Sequence, residues 1–117
     1  MKNRPLFSRF GFAFSGVAIA FRSERSVRIH VLATVAALAV LVYIRPAAVW
    51  WALIALAIAL VLAAELFNTV VEYLVDHLHP HEHERIKAVK DVAAGAVLVA
   101  SAGAFAVAIA FVISLLC

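Results

Sequence analysis

An all-α integral membrane fold, with an N-terminal amphipathic surface helix followed by three transmembrane helices, is predicted by three features of this chain. Of its 117 residues, 67% are hydrophobic and only 15% charged, and the mean hydropathy is +1.07, outside the range of a water-soluble domain. Uncharged apolar stretches occupy residues 31–44, 47–64 and 92–117, against the roughly 20 residues that cross about 30 Å of hydrocarbon. Ahead of them, Phe7, Phe10, Phe14, Val17 and Phe21 recur at intervals of three and four, the period of a one-sided helix.

The surface helix is expected over about residues 6–22, because Ser8, Arg9, Ser15 and Arg22 fall largely off the aromatic face. Its aromatic residues are spread periodically and no cleavage site follows, so a removed secretion signal is not expected. The first span, about 28–45, contains His30, and its flanking Arg28 and Arg45 can extend toward water along their aliphatic stems. Spans two and three are placed at about 47–75 and 90–116, giving a single domain over residues 1–117.

Six basic residues (Lys2, Arg4, Arg9, Arg22, Arg25, Arg28) precede the first span, one (Arg45) follows it, three (Arg85, Lys87, Lys90) join spans two and three, and none comes later. By the positive-inside rule the N-terminus and the second connection are cytoplasmic, with the Arg45-Pro46 turn and Cys117 outside a bacterial inner membrane. These arginines read as topology determinants and contacts for anionic lipid, and nucleic acid is not an expected partner. Cys117 is the lone cysteine, which leaves no intrachain disulfide. A three-span chain has little interior, so it should oligomerise, with Gly95, Ser101 and Gly103 allowing close helix approach.

Within the apolar second span, Glu65, Asn68, Glu72 and Asp76 appear at helical spacing. At about 100° per residue the three carboxylates fall within roughly 20° of one another and Asn68 about 60° away. Ionisable groups beside hydrocarbon are costly and usually functional. Glu65 comes at about the depth of a lipid head group, with Glu72 roughly 10 Å farther along the axis at the water level. Lys90 and Asp91 are expected near a helix start, where backbone donors favour an anion such as phosphate. Glu24 lies in the polar run before the first span. Carboxylates with a lysine suit Mg²⁺ and a polyphosphate, since magnesium takes a few protein oxygens and shares the rest with phosphates. A Gly-rich phosphate loop is missing, which excludes the soluble nucleotide-binding folds.

Residues 65–76, Glu65-Leu66-Phe67-Asn68-Thr69-Val70-Val71-Glu72-Tyr73-Leu74-Val75-Asp76, and the later Lys90-Asp91-Val92-Ala93-Ala94-Gly95, resemble the small prokaryotic integral-membrane lipid kinases, the diacylglycerol and undecaprenol kinase family. Phe12-Ala13-Phe14-Ser15-Gly16, Glu24-Arg25 and Arg28-Ile29-His30 extend the resemblance over nearly the whole chain. It implies a homotrimeric bundle with cytoplasmic active sites between subunits, ATP as co-substrate, Mg²⁺ as cofactor and a membrane lipid alcohol as acceptor. Under it Glu65 looks like the general base and Asn68 its orienting partner, Glu24 and Glu72 the magnesium ligands, and Lys90 and Asp91 nucleotide contacts. His81, Glu82 and His83 are similar in place to a segment covering the nucleotide, and Phe12 stands where a tyrosine is common. Residues 24–30 and 90–96 look more like the undecaprenol kinase branch, with diacylglycerol kinase as the alternative.

Plainer roles exist for each feature. Glu24 suits an i,i+4 pair with Arg28, Lys90 and Asp91 suit an interfacial anchor and a helix cap, and the stripe suits polar adhesion between helices. The histidines of residues 77–83 alternate around Pro80, which breaks the helix on which i,i+4 partners would converge, a poor pattern for a transition-metal site. A small transporter or proton-conducting subunit is the rival of another class, but residues 47–64 carry no polar continuation toward the outer face.

Overall fold

The computed structural model describes residues 3–81 and 83–117. These form four helices: α1 over Leu6–Ser23, α2 over Arg25–Ile44, α3 over Ala48–Leu78 and α4 over Glu84–Leu116. Helices α2, α3 and α4 are each long and apolar enough to cross a membrane, and the chain is a membrane protein. They run antiparallel. At one end Trp50 of α3 packs on Phe111 of α4, ring centroids 5.3 Å apart. At the other, Asp76 of α3 meets Lys90 of α4 at 2.5 Å.

The 31 residues of α3 and 33 of α4 make helices about 46 and 50 Å long, well beyond the roughly 30 Å of a hydrocarbon core. Their surplus lies at the polar end, where α3 continues past Glu65 and α4 begins with Glu84, Arg85 and Lys87. The expected spans 47–75 and 90–116 therefore stop inside longer helices, and the connection shrinks to residues 79–83. Loss of hydrophobicity does not end a helix already propagating; α3 stops just before Pro80, which removes a backbone donor and bars a further turn. His83 then caps α4, its Nδ1 accepting the Arg85 backbone N–H at 3.1 Å.

Helix α2 closes on Arg45 in the left-handed region (φ 54°), whose N–H reaches the Leu41 carbonyl at 2.8 Å before Pro46 redirects the chain. Between α1 and α2 the break is a single extended residue, Glu24 (φ −113°, ψ 117°), which ends one helix and begins the next. Arg28 holds this elbow: its Nη1 donates to the carbonyls of Phe21 and Arg22, both at 2.9 Å, satisfying acceptors that the end of α1 would otherwise leave open. Arg28 thus serves α1 rather than the expected i,i+4 pairing with Glu24.

The molecule measures 53 × 39 × 22 Å, and its thin dimension is about two helix diameters. Few side chains are enclosed: Ala20, Val27, Leu41, Val61 and Phe111 are the buried apolar ones among the described residues. Most large apolar groups, Phe7 and Phe14 of α1 included, face outward. In so thin a body a buried polar group is conspicuous.

Removing the Arg28 guanidinium should loosen the elbow alone. Arg28→Ala is expected to raise hydrogen–deuterium exchange at the Glu24 amide by about tenfold, the equivalent of one charge-assisted hydrogen bond, with exchange around Val61 and Phe111 unchanged.

Candidate active site

Two polar residues are buried among the described residues, Glu65 and Thr69, each 6% exposed and one turn apart on α3. Glu65 has a partner on the neighbouring helix: its Oε1 lies 3.0 Å from Nε2 of His30 on α2. The Thr69 hydroxyl turns back on its own helix and donates to the Glu65 carbonyl at 3.0 Å, the i−4 bond by which a buried threonine satisfies itself. Between them stands Asn68, whose buried Oδ1 lacks a hydrogen-bond partner. Buried acceptors are nearly always bonded, so this amide marks a place arranged for something other than the fold of one chain.

An apolar groove of about 420 Å³ runs between α2, α3 and α4 and ends at His30. Leu41 and Phe111 line its far part, Val61 and Leu62 the part nearest Glu65, with Thr34 and Ser101 as its other polar members. The Glu65–His30 pair therefore stands where an apolar channel meets the polar end of the bundle.

Farther along α3, Tyr73 donates a hydrogen bond from its hydroxyl to Ser23 Oγ at the end of α1. That contact ties the elbow carrying Glu24 to the turn of α3 carrying half-buried Glu72. One turn later Asp76 accepts from Lys90 Nζ at 2.5 Å, clamping the ends of α3 and α4. Lys87 and Asp91 pair at 2.7 Å along the exposed side of α4.

The expected site residues divide into two groups. Glu65, Asn68 and Glu72 share one side of α3; the elbow that carries Glu24 is tied to α3 by the Tyr73–Ser23 contact, and Lys90 is tied to α3 by Asp76. Asp91 is not drawn in; it points along α4 toward Lys87. The expectation that Lys90 and Asp91 stand at a helix start is corrected, because α4 already begins at Glu84 and their backbone donors are spent within the helix. His83 is the cap of α4, His79 Nδ1 donates to the His81 carbonyl at 2.9 Å, and Glu82 lies outside the described residues. Among the described residues no three His, Cys, Asp or Glu side chains form a metal-holding group.

Sequence periodicity does not single out His30, Thr69, Tyr73 or Ser23 as site-forming residues. The signals were present: His30 is the lone ionisable residue within the apolar part of its span, Thr69 follows Glu65 by four, and Tyr73 stands beside Glu72.

Comparison with known proteins bears on this arrangement. A family model described as prokaryotic diacylglycerol kinase matches residues 11–113. A diacylglycerol kinase of Synechocystis sp. is 40% identical over 96 residues, 81% of this chain and 55% of that protein. An undecaprenol kinase of Bacillus subtilis is 36% identical over 93 residues, 80% of this chain and 76% of its own length. The match thus spans about half of the Synechocystis protein and about three-quarters of the Bacillus one.

Because the Asn68 acceptor is buried without a donor, replacing the amide by a similar-sized apolar group removes a desolvation cost of about 1 kcal/mol or more. Asn68→Leu should therefore keep or raise the thermal unfolding midpoint in detergent, measured by circular dichroism. A lower midpoint would show that Asn68 is a structural hydrogen-bonding residue.

Proposed function

This chain belongs to the prokaryotic diacylglycerol kinase family, and from that premise we propose that it transfers the γ-phosphate of ATP to the hydroxyl of a membrane lipid alcohol, undecaprenol first, with diacylglycerol as the alternative acceptor. The observation that carries the reading is the buried Glu65 carboxylate, paired with the His30 that lines the end of an apolar groove. A lipid alcohol needs an apolar path for its tail and a base at the level of its hydroxyl, and the groove and Glu65 supply these together.

In the proposed reaction Glu65 accepts the proton of the lipid hydroxyl as its oxygen attacks the γ-phosphorus, the bond to the bridging oxygen breaks, and ADP leaves with that electron pair. Asn68 orients the carboxylate or the hydroxyl through its amide N–H, while its orphaned Oδ1 is left to accept from a donor that the single chain does not supply. Lys90, held at the polar end by Asp76, offers its ammonium to the polyphosphate, and by resemblance Asp91, His81, Glu82 and His83 are further contacts to the nucleotide. Two carboxylates on elements tied by the Tyr73–Ser23 contact fit magnesium, which takes few protein oxygens when phosphates complete its shell. Glu24 and Glu72 would hold it, and it would neutralise charge on the phosphates.

The site end would face the cytosol, following the basic residues that gather there, with α1 along the membrane surface and its aromatic side toward lipid. A trimer fits the thinness of the single chain, since further copies would screen the half-buried Asn68 and Glu72 from lipid. Relatives named for both acceptors match, and the choice of undecaprenol rests on residues 24–30 and 90–96. An ion pathway is disfavoured because the groove leaving His30 is apolar save for Thr34 and Ser101.

Purified protein given Mg²⁺, labelled ATP and either alcohol should yield lipid phosphate, faster with undecaprenol. Glu65→Gln should stay folded and lose at least about a hundredfold in kcat; ordinary turnover by that variant would refute the base assignment. Glu24→Gln and Glu72→Gln should each raise the Mg²⁺ concentration needed for half-maximal rate by about tenfold, as removal of one of few metal ligands does.

A further inference from the structure

His30 on α2 pairs with the buried carboxylate, and it also lines the end of the groove. An imidazole in an apolar span is costly unless it has a partner, and a carboxylate so enclosed is costlier still. Each therefore stabilises the other. Oε1 of Glu65 lies 3.0 Å from Nε2 of His30, within reach of a hydrogen carried on that nitrogen, and a neutral imidazole suffices as donor. The backbone supports this placement: Thr34 Oγ1 donates to the His30 carbonyl at 2.8 Å one turn on.

We propose that His30 is the positioning residue for Glu65. Its Nε2–H engages one carboxylate oxygen and fixes the side-chain torsions, leaving the second oxygen for the hydroxyl of a lipid alcohol lying in the groove. This inference rests on the kinase reading and adds to it a residue on a different helix. A free glutamate spreads over several rotamers, and holding it in one is worth about tenfold or more in rate. The effect belongs to kcat, because neither the nucleotide nor the lipid tail depends on that hydrogen bond. A merely adhesive pair between α2 and α3 behaves otherwise, since its loss lowers the folded fraction and leaves turnover per folded molecule unchanged.

The test compares His30→Ala and His30→Gln with the unaltered protein in one detergent, after thermal melts and size-exclusion chromatography have set the folded fraction. Glutamine carries a neutral amide N–H at similar reach and restores the donor. Expected are a fall of at least tenfold in kcat per folded His30→Ala molecule, a KM for ATP within about twofold, and recovery by His30→Gln to within about threefold of the unaltered rate. Undiminished kcat in folded His30→Ala overturns the proposal, as does a loss confined to KM or to the folded fraction.

A second readout needs no turnover. In selectively labelled protein the Nε2–H proton and ¹⁵N shifts of His30 should report a hydrogen bond to a carboxylate, and Glu65→Ala should remove that downfield displacement; shifts indifferent to Glu65→Ala overturn the pairing. Should the unaltered protein phosphorylate neither alcohol while the shifts behave as expected, the kinase reading fails and the His30–Glu65 pairing stands as a structural one.

Discussion

A carboxylate enclosed among apolar helices organises this molecule. Glu65 is 6% exposed in a body about two helices thick, and it is kept there by a 3.0 Å contact to His30 on the neighbouring helix. Burying such a group costs far more than any exposed ion pair returns, and a fold retains it only where the group is paired and of use. The pairing also fixes how α2 faces α3, so the demand of one side chain becomes a constraint on helix packing. The groove beside the pair is the complementary consequence, for the small side chains Ala33, Ala37, Ala57 and Ala104 that line it leave volume a larger residue would fill.

The polar end is built by extending helices beyond the membrane rather than by adding a domain. Helices α3 and α4 outrun the hydrocarbon by several turns, and their ends are clamped by Asp76 and Lys90. An exposed pair of this kind contributes little stability; its service is to hold a lysine at a defined place. The α1–α2 elbow is fixed separately, by Arg28 on two carbonyls and by Tyr73 on Ser23. These polar contacts tie the elbow that carries Glu24 to the turn of α3 that carries Glu72 without a long loop.

Much of this was legible in the sequence, and the legible part is the periodic part. Apolar length alone locates α2, α3 and α4, and the spacing of Glu65, Asn68, Glu72 and Asp76 puts them on one side of α3. Helix ends were less legible, because polarity marks where a membrane stops and not where a helix does; α4 begins six residues before the expected start at residue 90. That difference moves Asp91 from a helix terminus to a second turn, where Lys87 takes it. Contacts between helices were illegible for another reason. A lone His30 carries no period, and nothing in one strand of sequence says that residues 30 and 65 meet, or that Tyr73 reaches Ser23 fifty positions away.

The central claim is that Glu65 meets the hydroxyl of a lipid whose tail lies among the helices, with the nucleotide gripped just beyond by Glu24, Glu72 and Lys90. An experimental structure of the assembled protein with Mg²⁺, a non-hydrolysable ATP analogue and undecaprenol tests it most directly. The account predicts the lipid oxygen about 3 Å from the Glu65 carboxylate, the γ-phosphate facing it, and Glu24 and Glu72 on the metal. A nucleotide or lipid hydroxyl bound away from Glu65, with Glu24 and Glu72 on opposite sides of the assembly, would contradict it.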